Sequence, residues 1–287
     1  MRGKAVCNGA ATIVNAIATG KGAAFGIRLR TWAEVELTDS KGIKVEIDGF
    51  KNEDPGLARR CVENVLDKFG GKERYGAVVR TRSEIPISRG LKSSSAAANA
   101  VVMATLRALG IESEPTDAIK IGTRSAIESG VSVTGAFDDA CASYFGGVVL
   151  TDNTVEKILK RDAMPTDLKV IIDVPSYQIR KNDLPLERIR SLRKVVEIAF
   201  EHALMGDYPG AMTLNGLCYS SALDLDQSAA FDALSGGAKG AGLSGTGPAT
   251  VILVSKNMVD EFIEGFSSRD NLIVTDVSNG SAEGARD

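Results

Sequence analysis

From Ile27 to Leu37 the chain alternates, with Ile27, Leu29, Thr31, Ala33, Val35 and Leu37 on one side and Arg28, Arg30, Trp32, Glu34 and Glu36 on the other. A period of two sends successive side chains to opposite faces, so this stretch is a strand with one face buried and one wet. Such a strand requires a sheet and a layer to cover it. Asp39-Ser40-Lys41-Gly42 is turn chemistry, and Ile43, Val45 and Ile47 alternate again, which predicts a hairpin whose second arm is 43–47.

The pattern then changes period. Leu57, Cys61, Val62, Val65, Leu66 and Phe69 recur at three and four, predicting an amphipathic helix opened by Asp54-Pro55 and closed by Gly70-Gly71. Residues 77–85 read as a strand, and an alanine-rich helix follows Ser93 and stops at Gly110. Thr116 is a suitable cap for a helix to about Ser129, a short helix starts near Asp138, and 147–150 is a strand. Polar residues 151–167 resemble a boundary between lobes. Beyond it come strands at 168–174, 249–254 and 271–276, helical stretches near 185–205, 208–222, 227–235 and 257–267, and a polar tail from Ser278 expected to fray. Strands that pair early and then mix with helices predict an α+β protein of two lobes rather than a parallel doubly wound sheet. The length of 287 residues, at roughly 150 per domain, agrees.

Several functions are disfavoured by what the chain lacks. A formal charge of −3 gives no bulk attraction to nucleic acid or to an anionic membrane. Cys7, Cys61, Cys141 and Cys218 show no zinc or disulfide spacing, which fits a reducing cytosol. His202 is the only histidine, reads as a partly exposed helix residue, and rules out a multi-histidine metal site. Asn8, Gly9, Thr12 and Asn15 interrupt the apolar N-terminal stretch, so an export signal is not expected, and no run of about 18 apolar residues predicts a membrane span.

Three segments carry chemistry. In Pro86-Ile87-Ser88-Arg89-Gly90-Leu91-Lys92-Ser93-Ser94-Ser95-Ala96, a strand, a loop and a helix start follow in order. A helix N-terminus presents unpaired N–H groups and a partial positive charge, which suits phosphate; serine hydroxyls add donors or a magnesium ligand, and Lys92 adds a cation. On composition alone the segment reads equally as a serine-capped helix with a solvated lysine. Lys239 to Pro248 carries glycines at 240, 242, 245 and 247 with hydroxyls at Ser244 and Thr246, which allows close backbone approach to a ligand or merely a flexible hairpin. Its GxGxxG match leads into a strand rather than out of one, so a dinucleotide fingerprint is rejected, and a Walker lysine loop is absent. The third segment is Glu128 followed by Asp138-Asp139: acids able to complete a magnesium shell and to take a hydroxyl proton, or ordinary helix-capping charges.

Taken in order, these segments resemble the motifs of the GHMP kinases: 86–96 the PxxxGLGSSA loop, 239–249 the glycine-rich loop before a C-terminal strand, and 3–26 the place of the first motif. Within that family the wording at 9–26, 90–96 and 134–141 is most similar to its archaeal shikimate-phosphorylating branch. The resemblance implies a ribosomal-S5-domain-2-like N-terminal lobe, taken as 1–155 and binding ATP, and a ferredoxin-like C-terminal lobe, 156–287. It implies ATP-dependent phosphorylation of the 3-hydroxyl of shikimate on the route to chorismate and the aromatic amino acids, with ATP and Mg2+ as cofactors. It carries nucleotide binding to Ile87 through Ala96, the metal to Ser94 and Glu128, and catalysis to Asp139 or its neighbour Asp138, with Asp139 favoured. Substrate binding falls to Arg180, Gly242, Ser244, Gly245 and Thr246; a guanidinium at Arg180 suits a carboxylate. Lys92 departs from the family's second glycine and is expected near the nucleotide phosphates. Homoserine or mevalonate phosphorylation, or nucleotide binding without transfer, are the alternatives.

Overall fold

β2 (Lys21–Thr38), the strand the alternation predicts, is the spine of the first sheet. The computed structural model describes residues 1–49, 53–87, 89–132, 134–177, 184–266, 269 and 271–282. β1 (Arg2–Val14) runs antiparallel along one edge of β2. The other edge of β2 is shared: β5 (Val148–Asp152) pairs with Lys21–Phe25, and β4 (Gly76–Ser83) with Thr31–Thr38. β3 (Ile43–Ile47) and β6 (Lys157–Asp162) are the outer strands.

The expected hairpin is corrected here. β3 does not pair with β2; it runs parallel to β4, which lies between them. A turn sequence specifies reversal but not adjacency, and the crossover is supplied by α1 (Gly56–Lys68), whose Ala58, Cys61, Val62, Val65 and Leu66 are buried. Gly76 lets β4 enter that gap. A Cβ there would overlap the carbonyls of Ser40 and Gly42, and the Ala77 N–H donates to Gly42 O at 3.0 Å.

α2 (Ser93–Leu109) packs across the first sheet with most of its side chains buried, which its Ala/Val/Met composition permits on nearly every face. α3 (Pro115–Glu128) and α4 (Phe137–Phe145) flank it. α3 is capped at Glu114 rather than Thr116, because Pro115, lacking an N–H, suits the first helical position. The polar stretch read as a boundary contains β6, an edge strand of the first sheet, so residue 155 falls between two paired strands.

The second sheet orders β10 (Leu272–Asp276), β7 (Leu168–Asp173), β9 (Thr250–Ser255) and β8 (Gly240–Leu243), all antiparallel. α5 (Leu186–Ser191) and α6 (Arg193–Met205) replace the single stretch expected at 185–205, and α7 (Tyr208–Ala222), α8 (Ser228–Ser235) and α9 (Val259–Gly265) follow. One apolar cluster runs from Ile13, Phe25 and Val101 of the first lobe to Tyr219, Val196 and Val251 of the second. Ser278 is not frayed: it is buried, its N–H donates to Gly26 O at 2.8 Å, and its carbonyl accepts from Gly147 N–H at 2.7 Å. Asn279 adds a pair of bonds to the Met164 backbone. No helix among the described residues is long and apolar enough to cross a membrane.

α7 meets β8 backbone to backbone. A Cβ on Gly216 would stand 2.6 Å from the Leu243 nitrogen, where only backbone could yield. Gly216→Ala is therefore expected to destabilise the protein by about 1–3 kcal/mol through overpacking, read as a lowered urea midpoint. An unchanged midpoint would mean that α7 is free to lift from β8.

Candidate active site

Lys92 precedes α2 in the left-handed region, at φ 62°, and this places its side chain back over the helix mouth rather than along the helix. There the ammonium pairs with Asp139 Oδ2 at 2.8 Å, with the two side chains 11% and 8% exposed. Asp139 sits in the first turn of α4, which likewise follows a residue in the left-handed region, Ala136 at φ 51°. Both helices thus direct their N-termini, each worth about half a positive charge, toward one place.

That place is a cavity of about 510 Å³. Its wall includes Ile87, Gly90, Lys92 and Ser93 to Ser95, then Thr134 to Ala136 with Asp138 and Asp139, then Asn15 to Ile17, and Gly245 to Gly247. Its far end is made by Thr31, Ile47, Asp48, Asp54, Leu57, Thr81 and Ser83. Among the described residues, no hydrogen bond engages the hydroxyls of Ser93, Ser94 or Ser95, so these and the first N–H groups of α2 are available to a ligand. Asp139 Oδ1 is buried with no hydrogen-bond partner among the described residues. A free anion cradle beside an unsatisfied carboxylate oxygen fits a triphosphate together with an alcohol.

Asp138 is held differently. It accepts from Asn153 Nδ2 at 2.8 Å through Oδ1, and burial, followed by the charge of Asp139, raises its carboxyl to about 7. Lys92 and the Asn153 bond act in the opposite direction but do not offset burial.

The glycine-rich segment divides in two. Gly240 to Leu243 is strand β8, and Gly242 packs on α7, so the structure does not bring Gly242 to the cavity. Ser244 is wholly buried and already used: Thr12 N–H donates to its Oγ at 3.2 Å, and the Oγ–H donates to Gly90 O at 2.8 Å. It is a joint between loops, not a substrate hydroxyl. Gly245 and Thr246 do line the cavity; a Cβ on Gly245 would stand 2.9 Å from Lys92 Nζ.

Three members of the loop also face elsewhere. Leu91 and Ala96 are core residues, and the Arg89 guanidinium donates to the carbonyls of Ser176 and Tyr177. Glu128 is not part of the cavity wall. On the last turn of α3 it faces α1, where Asn64 donates to Oε2 at 2.9 Å, Arg124 to Oε1 at 2.8 Å, and Arg60 stands 3.7 Å away. These partners hold its carboxyl below the usual range, the Asn64 bond first. Ser88 and Arg180 lie outside the described residues. His202, at the end of α6, bonds Asp207 and stands apart from the cavity. Sequence reasoning missed Thr12, Asn15 and Asn153; no motif marks them, because their importance lies in partners far along the chain.

Residues 56–147 match the model of the GHMP kinases N terminal domain. A shikimate kinase of Methanothrix thermoacetophila is 52% identical over 283 residues, covering 98% of this chain and 96% of that protein. One of Methanosarcina mazei is 47% identical over 286 residues, covering 98% and 96%. Among solved structures, homoserine kinase from Cytophaga hutchinsonii superposes with a TM-score of 0.77 at 18% identity, covering 98% of this chain and 96% of that one. Lactococcus lactis galactokinase complexed with galactose gives a TM-score of 0.78 at 14% identity, covering 98% and 94%.

Two outcomes test this geometry. Ser244→Ala leaves Thr12 N–H and Gly90 C=O buried without partners and is expected to cost about 2 kcal/mol or more in urea denaturation; a loss confined to substrate KM would restore Ser244 as a ligand-binding hydroxyl. Asp138 has a raised folded-state value, about 7 against 3.8. The folded state therefore binds that proton more tightly, and stability falls as pH rises between about 4 and about 7. Asp138→Asn removes the penalty, so its stability relative to the parent should be higher at about pH 8 than at about pH 4. An equal difference at both would mean that Asp138 is not the group carrying the proton.

Proposed function

The chain belongs to the GHMP kinase family, among its archaeal shikimate kinases, and on that premise we propose how the cavity carries out the reaction. The activity is transfer of a phosphoryl group from ATP to shikimate. The acceptor is the 3-hydroxyl, and the product feeds chorismate and aromatic amino acid synthesis in the cytoplasm. The triphosphate lies against Gly90 and Ser93 to Ser95, where the N–H groups and hydroxyls at the start of α2 have no competing partners among the described residues. The N-terminal lobe carries this nucleotide site, and the C-terminal lobe contributes Gly245 and Thr246 to the substrate side. Arg180 anchors the substrate carboxylate.

Asp139 is the catalytic residue. The substrate hydroxyl gives its proton to the Asp139 carboxylate as its oxygen forms a bond to the γ-phosphorus, and the bond from that phosphorus to the β,γ-bridging oxygen breaks, releasing ADP. Lys92, paired with Asp139 at 2.8 Å, orients that carboxyl and offers its charge to the phosphate transferred beside it. A magnesium ion bound with the nucleotide would supply charge neutralisation; Ser94, in the cavity wall, is the residue that would ligate it, while Glu128 bonds Asn64 and Arg124 outside that wall. The observation that carries this reading is the buried Lys92–Asp139 pair in the wall that also holds the open start of α2.

ADP release measured with shikimate, homoserine and mevalonate should appear with shikimate alone. Asp139→Asn should lower kcat by about 100-fold or more while ATP affinity stays within about threefold, since the lost term is proton transfer. Near-normal turnover would place the proton acceptor elsewhere.

A further inference from the structure

Asp138 and Asp139 are neighbours on the first turn of α4, both more than nine-tenths buried and both in the cavity wall, yet only one of them meets Lys92. Coulomb attraction cannot make that choice, because a buried ammonium draws either carboxylate. The choice is made by hydrogen bonds on the far side. Asn153, in the turn after β5, grips Asp138 at two points: its Nδ2 donates to Asp138 Oδ1 at 2.8 Å, and its Oδ1 accepts from the Asp138 backbone N–H at 3.2 Å. Thr151 Oγ1 donates to that same Asn153 Oδ1 at 2.7 Å, and the Asp138 N–H, which can only donate, makes that end of the amide the carbonyl and leaves the NH2 for the Asp138 carboxyl. The remaining wall is Gly22 of β2, where a Cβ would stand 2.6 Å from Asp138 Cγ. The carboxyl of Asp138 therefore occupies a niche built from β2 and the end of β5, filled only because position 22 has no side chain.

We propose that Asn153 is a positioning residue that retains the Asp138 carboxyl in this niche, so that Lys92 and the reacting hydroxyl meet Asp139 alone. The inference rests on the reading of Asp139 as proton acceptor. Released from Asn153, Asp138 competes for the one ammonium, and the pair is left with two rival arrangements, of which one is productive.

A double-mutant cycle tests this. Asn153→Ala should lower kcat roughly 20- to 100-fold, the scale set by misplacing a reacting group by about an ångström, with KM for ATP and for shikimate within about threefold. In the Asp138→Ala background, where no rival carboxylate exists, the same change should cost less than about twofold. Gly22→Ala pushes on Asp138 from the opposite side with Asn153 intact; it should reproduce the loss, and Asp138→Ala should suppress it likewise. Equal losses in both backgrounds, or an Asn153→Ala enzyme within about twofold of the parent, would overturn the proposal while Asp139→Asn remained inactive. An Asp139→Asn enzyme that kept its turnover would instead overturn the reading on which the proposal stands.

Discussion

The cavity exists because of a short seam of buried hydrogen bonds around Ser244 and Gly245. Thr12 donates its N–H to Ser244 Oγ and accepts at its own hydroxyl from Gly245 N–H; Ser244 Oγ–H donates to Gly90 O; Asn15 Nδ2 donates to Gly245 O; and Ala249 N–H donates to Arg89 O. A buried polar group left without a partner costs about 1–3 kcal/mol, so the three segments are stable there only together. They come from the two ends and the first third of the chain, and Gly90 has no Cβ because one would overlap the Ser244 carbonyl. The loops that would hold phosphate are thus fixed by contacts behind them, and the faces they turn to the cavity need no internal partners.

The seam also explains what could be read from the chain and what could not. A strand with one wet face announces itself, as β2 does, and an amphipathic helix such as α1 does the same. The last eight residues of β1 are all buried, so alternation disappears and the period gives no strand in this glycine- and alanine-rich stretch. β8 fails for a related reason: Gly240 and Gly242 are glycine because α7 lies against the backbone, not because the chain turns. β6, inside the stretch expected to be a boundary, is polar because it is an edge. In the cavity, the loop at 90–95 and the acid pair were legible because a helix start and its first-turn charges are local features. The place of Glu128 outside the cavity wall was not, since its spacing from Asp139 says nothing about which side of α3 it occupies, and α1 supplies Asn64 and Arg60 to the side it does occupy.

Lys92 shows what the site gains by breaking a local rule. A residue other than glycine at φ 62° carries about 1–2 kcal/mol of backbone strain, and the same holds for Ala136 at φ 51°. A glycine at 92 would relieve it but would leave Asp139 buried without a counter-ion, a larger loss. The strain is therefore the lesser cost, and it sets the ammonium at the mouth of α2 instead of along its flank.

The same arrangement makes the field at the cavity depend on Asp138. Lys92 is matched by its partner Asp139, which leaves the two helix N-termini, together about one positive charge, facing the space between them. With Asp138 protonated, that surplus stands and favours a polyphosphate; with Asp138 ionised, it is neutralised. Because the carboxyl is raised to about 7 by burial first and by Asp139 second, neutral pH lies at the crossover. On the proposed reading, an arriving triphosphate would add negative charge nearby and favour the protonated form of Asp138. The second acid would thus answer the ligand's charge by surrendering its own, and the hydroxyl proton would go to Asp139.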